Sequence, residues 1–166
     1  MTAPKVAIER TQLVTFRVGS ELYAADVFSV ERVLRYTVPR PIPNVPAWLD
    51  GVIDYGGRAV PVIDLRTRFD LPTSTNRDQA RILVFTSGTD RVAATVDTVD
   101  EVASVETRAL EEPPAIFRGL ARQYLRALVR RGEDVIVVLD VAQILNSRER
   151  IVVDQAVAVA EAVTNG

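Results

Sequence analysis

The chain contains no cysteine and no histidine. Without cysteine there are no disulfides, no thiolate nucleophiles and no thiolate metal sites. Without histidine the commonest general base, the usual activator of a nucleophile and the commonest transition-metal ligand are missing. Carboxylates, lysine, tyrosine and serine remain, so the exclusion falls on hydrolase triads and zinc centres rather than on all catalysis. Long apolar runs are also missing: none approaches the roughly 18 residues of a membrane span. The opening stretch MTAPKVAIER lacks an apolar targeting core and reads as a flexible lead over residues 1–10. Charge of one sign is scarce too. Twenty basic and 22 acidic side chains leave a net charge of −2, so no bulk attraction to nucleic acid or to an anionic membrane is expected. These absences together lead us to expect a cytoplasmic protein.

The chain does have 166 residues, 48% of them hydrophobic, enough for one domain or two small subdomains sharing a core. Its organising stretch is Gly51 to Leu65, GVIDYGGRAVPVIDL. Gly56-Gly57 separates two β-branched runs, which is a hairpin signal because glycine reaches the positive φ of a tight turn. Pro61 lacks an amide donor, so its strand is expected at an edge or a bulge, with backbone open to a partner.

Elsewhere, Gln12–Val18 alternates and is followed by Gly19-Ser20 and Leu22–Ala25, a second hairpin. Asp26 is placed to cap a short helix or irregular turn from Val27 to Arg32; its valines read as core or as an exposed binding edge. Val38–Pro46 holds four prolines and must be a surface loop. Trp48 is expected to pin that loop to the core. Leu65–Phe69 suggests one helical turn, and Asp70–Gln79 a mobile loop and subdomain seam. Arg81–Thr86 and Arg91–Val96 pair around a turn, and Val96, Val99, Val102 and Val105 read as extended chain bent near Asp97. Asp97, Asp100 and Glu101 form an acidic cluster that a hard cation could use, but no Ca-loop pattern accompanies it and a solvated face is the simpler reading.

Arg118, Arg122, Arg126 and Arg130 are spaced four apart, and periodicity favours one basic stripe on a helix. Read as a strand, Leu125, Ala127 and Val129 face one way and Tyr124, Arg126, Leu128 and Arg130 the other. The stripe invites a nucleic-acid reading, which a net-acidic chain with one Tyr there supports poorly. Val135–Leu139 is a buried strand, Asp140 caps Val141–Leu145, and Val152, Val153, Ala156, Val157, Ala160 and Val163 share one face of a C-terminal helix expected to dock on the protein itself. About nine or ten short strands make an all-β barrel or sandwich. VPVIDLRTRF and VIVVLDVAQIL echo each other, which suggests two similar barrels side by side.

The pieces FRVGSELYAADVFSVERVL, PNVPAWLDGVID, VPVIDLRTRF, TVDTVDEV, the EEPP run and VIVVLDVAQIL, in this order and spacing, resemble the CheW-like chemotaxis coupling domain. The resemblance covers about Leu13 to Asn146. It implies two SH3-like five-stranded β-barrels sharing a hydrophobic seam, intertwined over residues 11–148 with a seam near 70–80, and a helical tail over 149–166. It implies a non-catalytic adaptor with no cofactor. The implied partners are chemoreceptor cytoplasmic tips and the regulatory domain of the histidine kinase CheA, at membrane-associated arrays. Carried over by position, a receptor groove would include Val27, Val30, Glu31, Arg32, Val33, Asp54, Tyr55, Gly56, Gly57 and Arg58. A kinase edge would include Arg81, Leu83, Phe85, Val92, Ala94 and Val96.

Departures from the family pattern are local. Asp54-Tyr55-Gly56-Gly57 stands where Asn-Leu-Arg-Gly is common, and Arg58 lies two positions later. Arg32 takes the usual place of an acid, a change expected to alter partner choice more than fold. Ala24, Ala93 and Ala127 stand where glycine is frequent. These imply a divergent coupling protein, in chemotaxis or in another chemosensory-like pathway such as pilus motility. Two other classes stay open at this stage: a carboxylate-based metal or catalytic site from Asp54, Asp64, Asp97 and Asp100, and nucleic-acid binding by the Arg118–Arg131 stripe.

Overall fold

The computed structural model describes residues 7–72, 77–87, 90–114, 124–145 and 147–165. Ten strands are found there: β1 (Arg10–Val18), β2 (Glu21–Asp26), β3 (Val30–Arg35), β4 (Leu49–Tyr55), β5 (Arg58–Asp64), β6 (Arg81–Ser87), β7 (Asp90–Val96), β8 (Thr98–Glu106), β9 (Leu125–Arg131) and β10 (Asp134–Leu139). Two helices accompany them, α1 (Leu65–Arg68) and α2 (Ser147–Asn165). The strands form two five-stranded sheets with orders β8-β1-β2-β10-β9 and β3-β6-β7-β5-β4. The chain is an all-β protein of two barrel-like subdomains with a C-terminal helix.

The two sheets are built alike, from two sequence repeats that exchange a strand. Hairpin β1–β2 lies in the first sheet, but β3, the next strand, crosses to pair with β6 of the second. Hairpin β6–β7 lies in the second sheet, and β8, which follows it, crosses back to pair with β1. A parallel contact completes each sheet at equivalent places: Val138 opposite Ala24, and Val62 opposite Ala93. The outer strand of each closing hairpin is capped by one bridging residue, Arg40 on Val52 of β4 and Glu111 on Leu128 of β9. Each repeat ends alike: Asp64 Oδ1 accepts from the Arg66 amide at 3.1 Å, and Asp140 Oδ1 from the Ala142 amide at 3.2 Å. The segment near 70–80 therefore divides the repeats but not the sheets. Crossings between sheets occur at residues 27–29 and at Asp97.

This topology explains the apolar runs. Strands in the middle of each sheet are covered on both faces. Val60, Val62, Ile82, Val84 and Ala93 fill one barrel, and Leu13, Ala24, Ala127, Val129, Ile136 and Val138 fill the other. The alternate residues, among them Phe16, Tyr23, Ile63, Leu83, Phe85, Leu125 and Leu139, meet between the barrels in one shared core. Burial there drives the Tyr23 phenol pKa up to about 12, with nearby Glu21 adding to the shift. At the centre of the seam the Arg68 guanidinium lies 5.0 Å from the Trp48 ring and 5.1 Å from the Tyr124 ring, and pairs with Glu149 of α2. Trp48 and Tyr124 are equivalent, since their carbonyls accept from the Asp64 and Asp140 amides. Trp48, after the proline loop, is half-buried and packs against the shared core.

Three expectations are corrected. Leu125–Arg131 is strand, not helix: Ala127 and Val129 are buried inside the barrel, Leu125 and Leu128 are buried in the shared core, and β10 pairs along the segment with a bulge at Arg126, so sheet burial overrides the 3.6 period. Arg126, Arg130 and Arg131 pair with Asp26, Glu111 and Glu101, and Arg118 and Arg122 lie outside the described residues. Pro61 does not mark an edge strand, because β5 sits between β4 and β7. Val52, opposite Pro61, directs its amide and carbonyl at Arg40, so the ring nitrogen of Pro61 faces β7. Pairing with β7 begins only at Val62, whereas the equivalent Val137 pairs with Tyr23. Beside this unpaired stretch lies a groove of about 310 Å³ between β5, β7 and α2, where Glu161 Oε1 accepts from the Ala59 amide at 3.4 Å. The third correction is the kinase edge, treated below. Helix α2 docks on the protein by Val153, Ala156 and Ala160, while Val152 turns outward.

Candidate functional site

The strand exchange leaves β3 as an outer strand with no partner on its far side among the described residues. Its approach is a single 3-10 turn, Val27–Ser29, because the Asp26 carboxylate caps the Phe28 amide at 2.9 Å and stops the strand there. The turn throws Phe28 into solvent, 90% exposed. Sequence reasoning missed Phe28, and no local signal separates an outward Phe in a turn from a core one. Val33 is also exposed, and Val27 and Val30 are half-buried. Between Val30 and Arg32 the register with β6 slips by one residue. This bulge makes Glu31 the extra residue and breaks the alternation that would sort β3 into faces.

Glu31 reaches over β6 to β7. Arg91 donates Nε to Glu31 Oε2 at 2.8 Å and a terminal nitrogen to Oε1 at 3.1 Å. The Tyr55 hydroxyl, from β4, also hydrogen-bonds Glu31, and Arg91 lies 5.8 Å from the Tyr55 ring. β3 and β4 are the opposite edges of this sheet, so its curl brings them together at this end. The Arg91 hydrogen bond holds the Glu31 carboxyl below its usual range. Desolvation, then the hydrogen bond to Glu31, raises the Tyr55 phenol above its ordinary value. The structure thus unites Glu31 and Tyr55 and adds Arg91, which sequence reasoning did not select.

The tip of the β4–β5 hairpin extends from this cluster. Gly56 and Gly57 have φ of 59° and 82°, the pair of positive values of a type I′ turn, and a side chain on either would meet nothing within 4 Å. Asp54 is exposed beside the tip, while Arg58 turns away into the groove under α2. Arg32 is exposed on β3. The 27–33 group and Asp54–Gly57 share one end of the second barrel, and Arg58, paired with Tyr55, lines the groove under α2 together with Arg91.

The kinase edge does not exist as an edge. β6 lies between β3 and β7, and β7 between β6 and β5. Leu83, Phe85, Ala94 and Val96 are buried in the shared core, and Arg81 and Val92 are half-buried. Both sides of this hairpin carry hydrogen-bonded neighbours, because strand exchange supplies β3 as the cover.

The carboxylates proposed for a metal are dispersed. Asp97 accepts from Arg66 and from the Gly19 amide, Asp100 from Arg17, and Glu101 from Arg131, while Asp64 caps α1. No group of three potential ligands converges among the described residues. No helix is long and apolar enough to cross a membrane among the residues described.

The family model for the CheW-like domain matches residues 12–149, spanning both barrels and ending at the start of α2. This chain belongs to the CheW-like family. Two chemotaxis CheW proteins are similar over nearly its whole length. That of Klebsiella aerogenes is 30% identical over 155 residues, covering 92% of this chain and 93% of its own. That of Treponema pallidum is 29% identical over 145 residues, covering 85% of each. The crystal structure of the scaffolding protein TtCheW from Thermoanaerobacter tengcongensis superposes with a TM-score of 0.78 at 25% identity, covering 84% of this chain and 96% of that one. The CheW-like match spans residues of both five-stranded sheets. The substitutions read as divergent sit differently within that CheW-like frame. Ala24 and Ala93 occupy the buried parallel contacts, where a methyl group adds packing, whereas Gly56 is fully outside.

Proposed function

We propose that this protein is a non-catalytic chemotaxis coupling scaffold that joins chemoreceptor signalling tips to the regulatory domain of the kinase CheA in arrays on the cytoplasmic side of the membrane. The observation that carries the reading is the CheW-like match across both barrels, residues 12–149. The receptor-facing surface is β3 with its turn and the tip of the β4–β5 hairpin. Three features suit it to holding a protein segment. Among the described residues β3 has backbone groups without a strand partner, Phe28 and Val33 offer exposed apolar surface, and Glu31–Arg91–Tyr55 keeps the hairpin tip registered against β3. Backbone pairing and apolar anchors supply affinity, and Arg32 at the rim biases the choice of partner.

The test is calorimetry of the full chain with its cognate CheA regulatory domain and, separately, with a receptor signalling fragment. Saturable binding to both is expected. Absence of both would remove the coupling role.

A further inference from the structure

A second feature of β3 lies at its other end and is not explained by the fold. Arg35 on β3 and Arg81 on β6 are direct cross-strand partners. Like charges placed opposite each other destabilise an antiparallel pair. A third cation, Arg77, joins them, its guanidinium 5.2 Å from the Tyr36 ring. Together with Asp78 and Ala80 these residues line a depression of about 330 Å³. Arg81 donates to the adjacent Ala80 carbonyl at 2.8 Å. Asp78 lines the same depression and Asp50 is within electrostatic reach of Arg77, so three guanidiniums stand against two carboxylates here. Arg35 alone would keep a free edge from pairing with another sheet. That purpose needs neither an arginine opposite nor a third one held on a ring.

We propose that Arg35, Arg77 and Arg81 form an anion-binding site that receives the carboxylates of an acidic protein segment lying along β3. Guanidinium forks suit carboxylates, and Tyr36 holds Arg77 in place before a ligand arrives. The site is open and continuous with the free edge strand, so it fits the charged end of a segment whose apolar part sits on Val33 and Phe28. This inference rests on the reading of β3 as a partner face and names the chemistry of that partner: apolar residues followed by carboxylates.

The test is an NMR titration of the arginine Nε–Hε signals of the full chain with a hexaglutamate peptide, and in a separate arm with sodium pyrophosphate. Saturable shifts of the Arg35, Arg77 and Arg81 signals with the peptide are expected. Followed by the Arg77 signal that both proteins share, binding of the peptide should weaken at least about tenfold in R35Q/R81Q. That double variant should melt no lower than wild type, since like-charge repulsion is relieved, and this separates loss of a site from loss of fold. No shift with the peptide, binding of pyrophosphate alone, or undiminished peptide binding by R35Q/R81Q overturns the proposal. Such a failure with receptor and kinase binding intact would remove the acidic-segment assignment and leave the coupling role standing.

Discussion

Gly51→Ala is the sharpest test of how the hairpin is held. Gly51 has φ of +149°, and a Cβ built there would stand 2.2 Å from the Arg40 carbonyl oxygen, 2.8 Å from its carbon and 3.2 Å from Pro39 Cβ. No rotamer relieves an overlap between Cβ and backbone, so the loop must lift. Lifting breaks the two bonds that tie it to β4, Arg40 N–H to the Val52 carbonyl at 2.8 Å and the reverse at 2.9 Å. Each is worth about 1 kcal/mol net. Holding alanine in a backbone region kept almost wholly for glycine adds about 1–3 kcal/mol. Ile42, buried in the shared core, loosens with the loop. The expected loss is about 3–5 kcal/mol, a large part of the 5–15 kcal/mol typical of a domain. Urea unfolding at 25 °C followed by fluorescence of the single Trp measures it. Gly57→Ala is the control: its φ is also positive, but the space is open, so the cost is about 1–2 kcal/mol. A Gly51→Ala midpoint equal to that of Gly57→Ala would refute the steric argument.

Three further outcomes are expected. Phe28→Ala and Val33→Asp should leave the melting temperature within about 2 °C of wild type while weakening receptor-fragment binding by calorimetry, since both side chains face solvent. Arg68→Met should cost about 3–5 kcal/mol by urea unfolding, because it removes the charge partner of Glu149 together with two ring contacts inside the seam. The folded-state value of Glu31 is depressed, so its bond to Arg91 contributes fully above the ordinary 4.5 and is lost as pH falls through the lower folded value. The Glu31 carboxyl should titrate by NMR with a midpoint below 4.5, and Arg91→Ala should move that midpoint upward.

Elements whose chemistry is local were legible in the sequence. Gly56-Gly57 dictated its own turn, Asp26 and Asp140 capped the helical turns that follow them, and the apolar face of α2 found the core. What failed depended on neighbours distant in sequence. Arg126 and Arg130 keep a helical spacing, yet Glu111 and β10 hold them in a strand. The 81–96 hairpin looked like an edge because nothing nearby reveals that β3 will cross over to cover it. Within the candidate site, the valines and the hairpin tip were legible. Arg91 and Phe28 were not, because the first depends on a bulge that aims Glu31 across a strand and the second on which way a three-residue turn points.

The exchange of β3 and β8 also means that this protein is assembled like two interlocked hands rather than two beads. Cutting the backbone between Pro72 and Arg77 would free no barrel. Each fragment would carry a hairpin for one sheet and three strands for the other. Neither half can complete a sheet from its own residues, so two separately produced halves should be unstructured apart and become ordered only on mixing. A pull on β3 from a bound partner would in the same way be felt in the opposite barrel, because the residues leading into that strand are anchored there through β2.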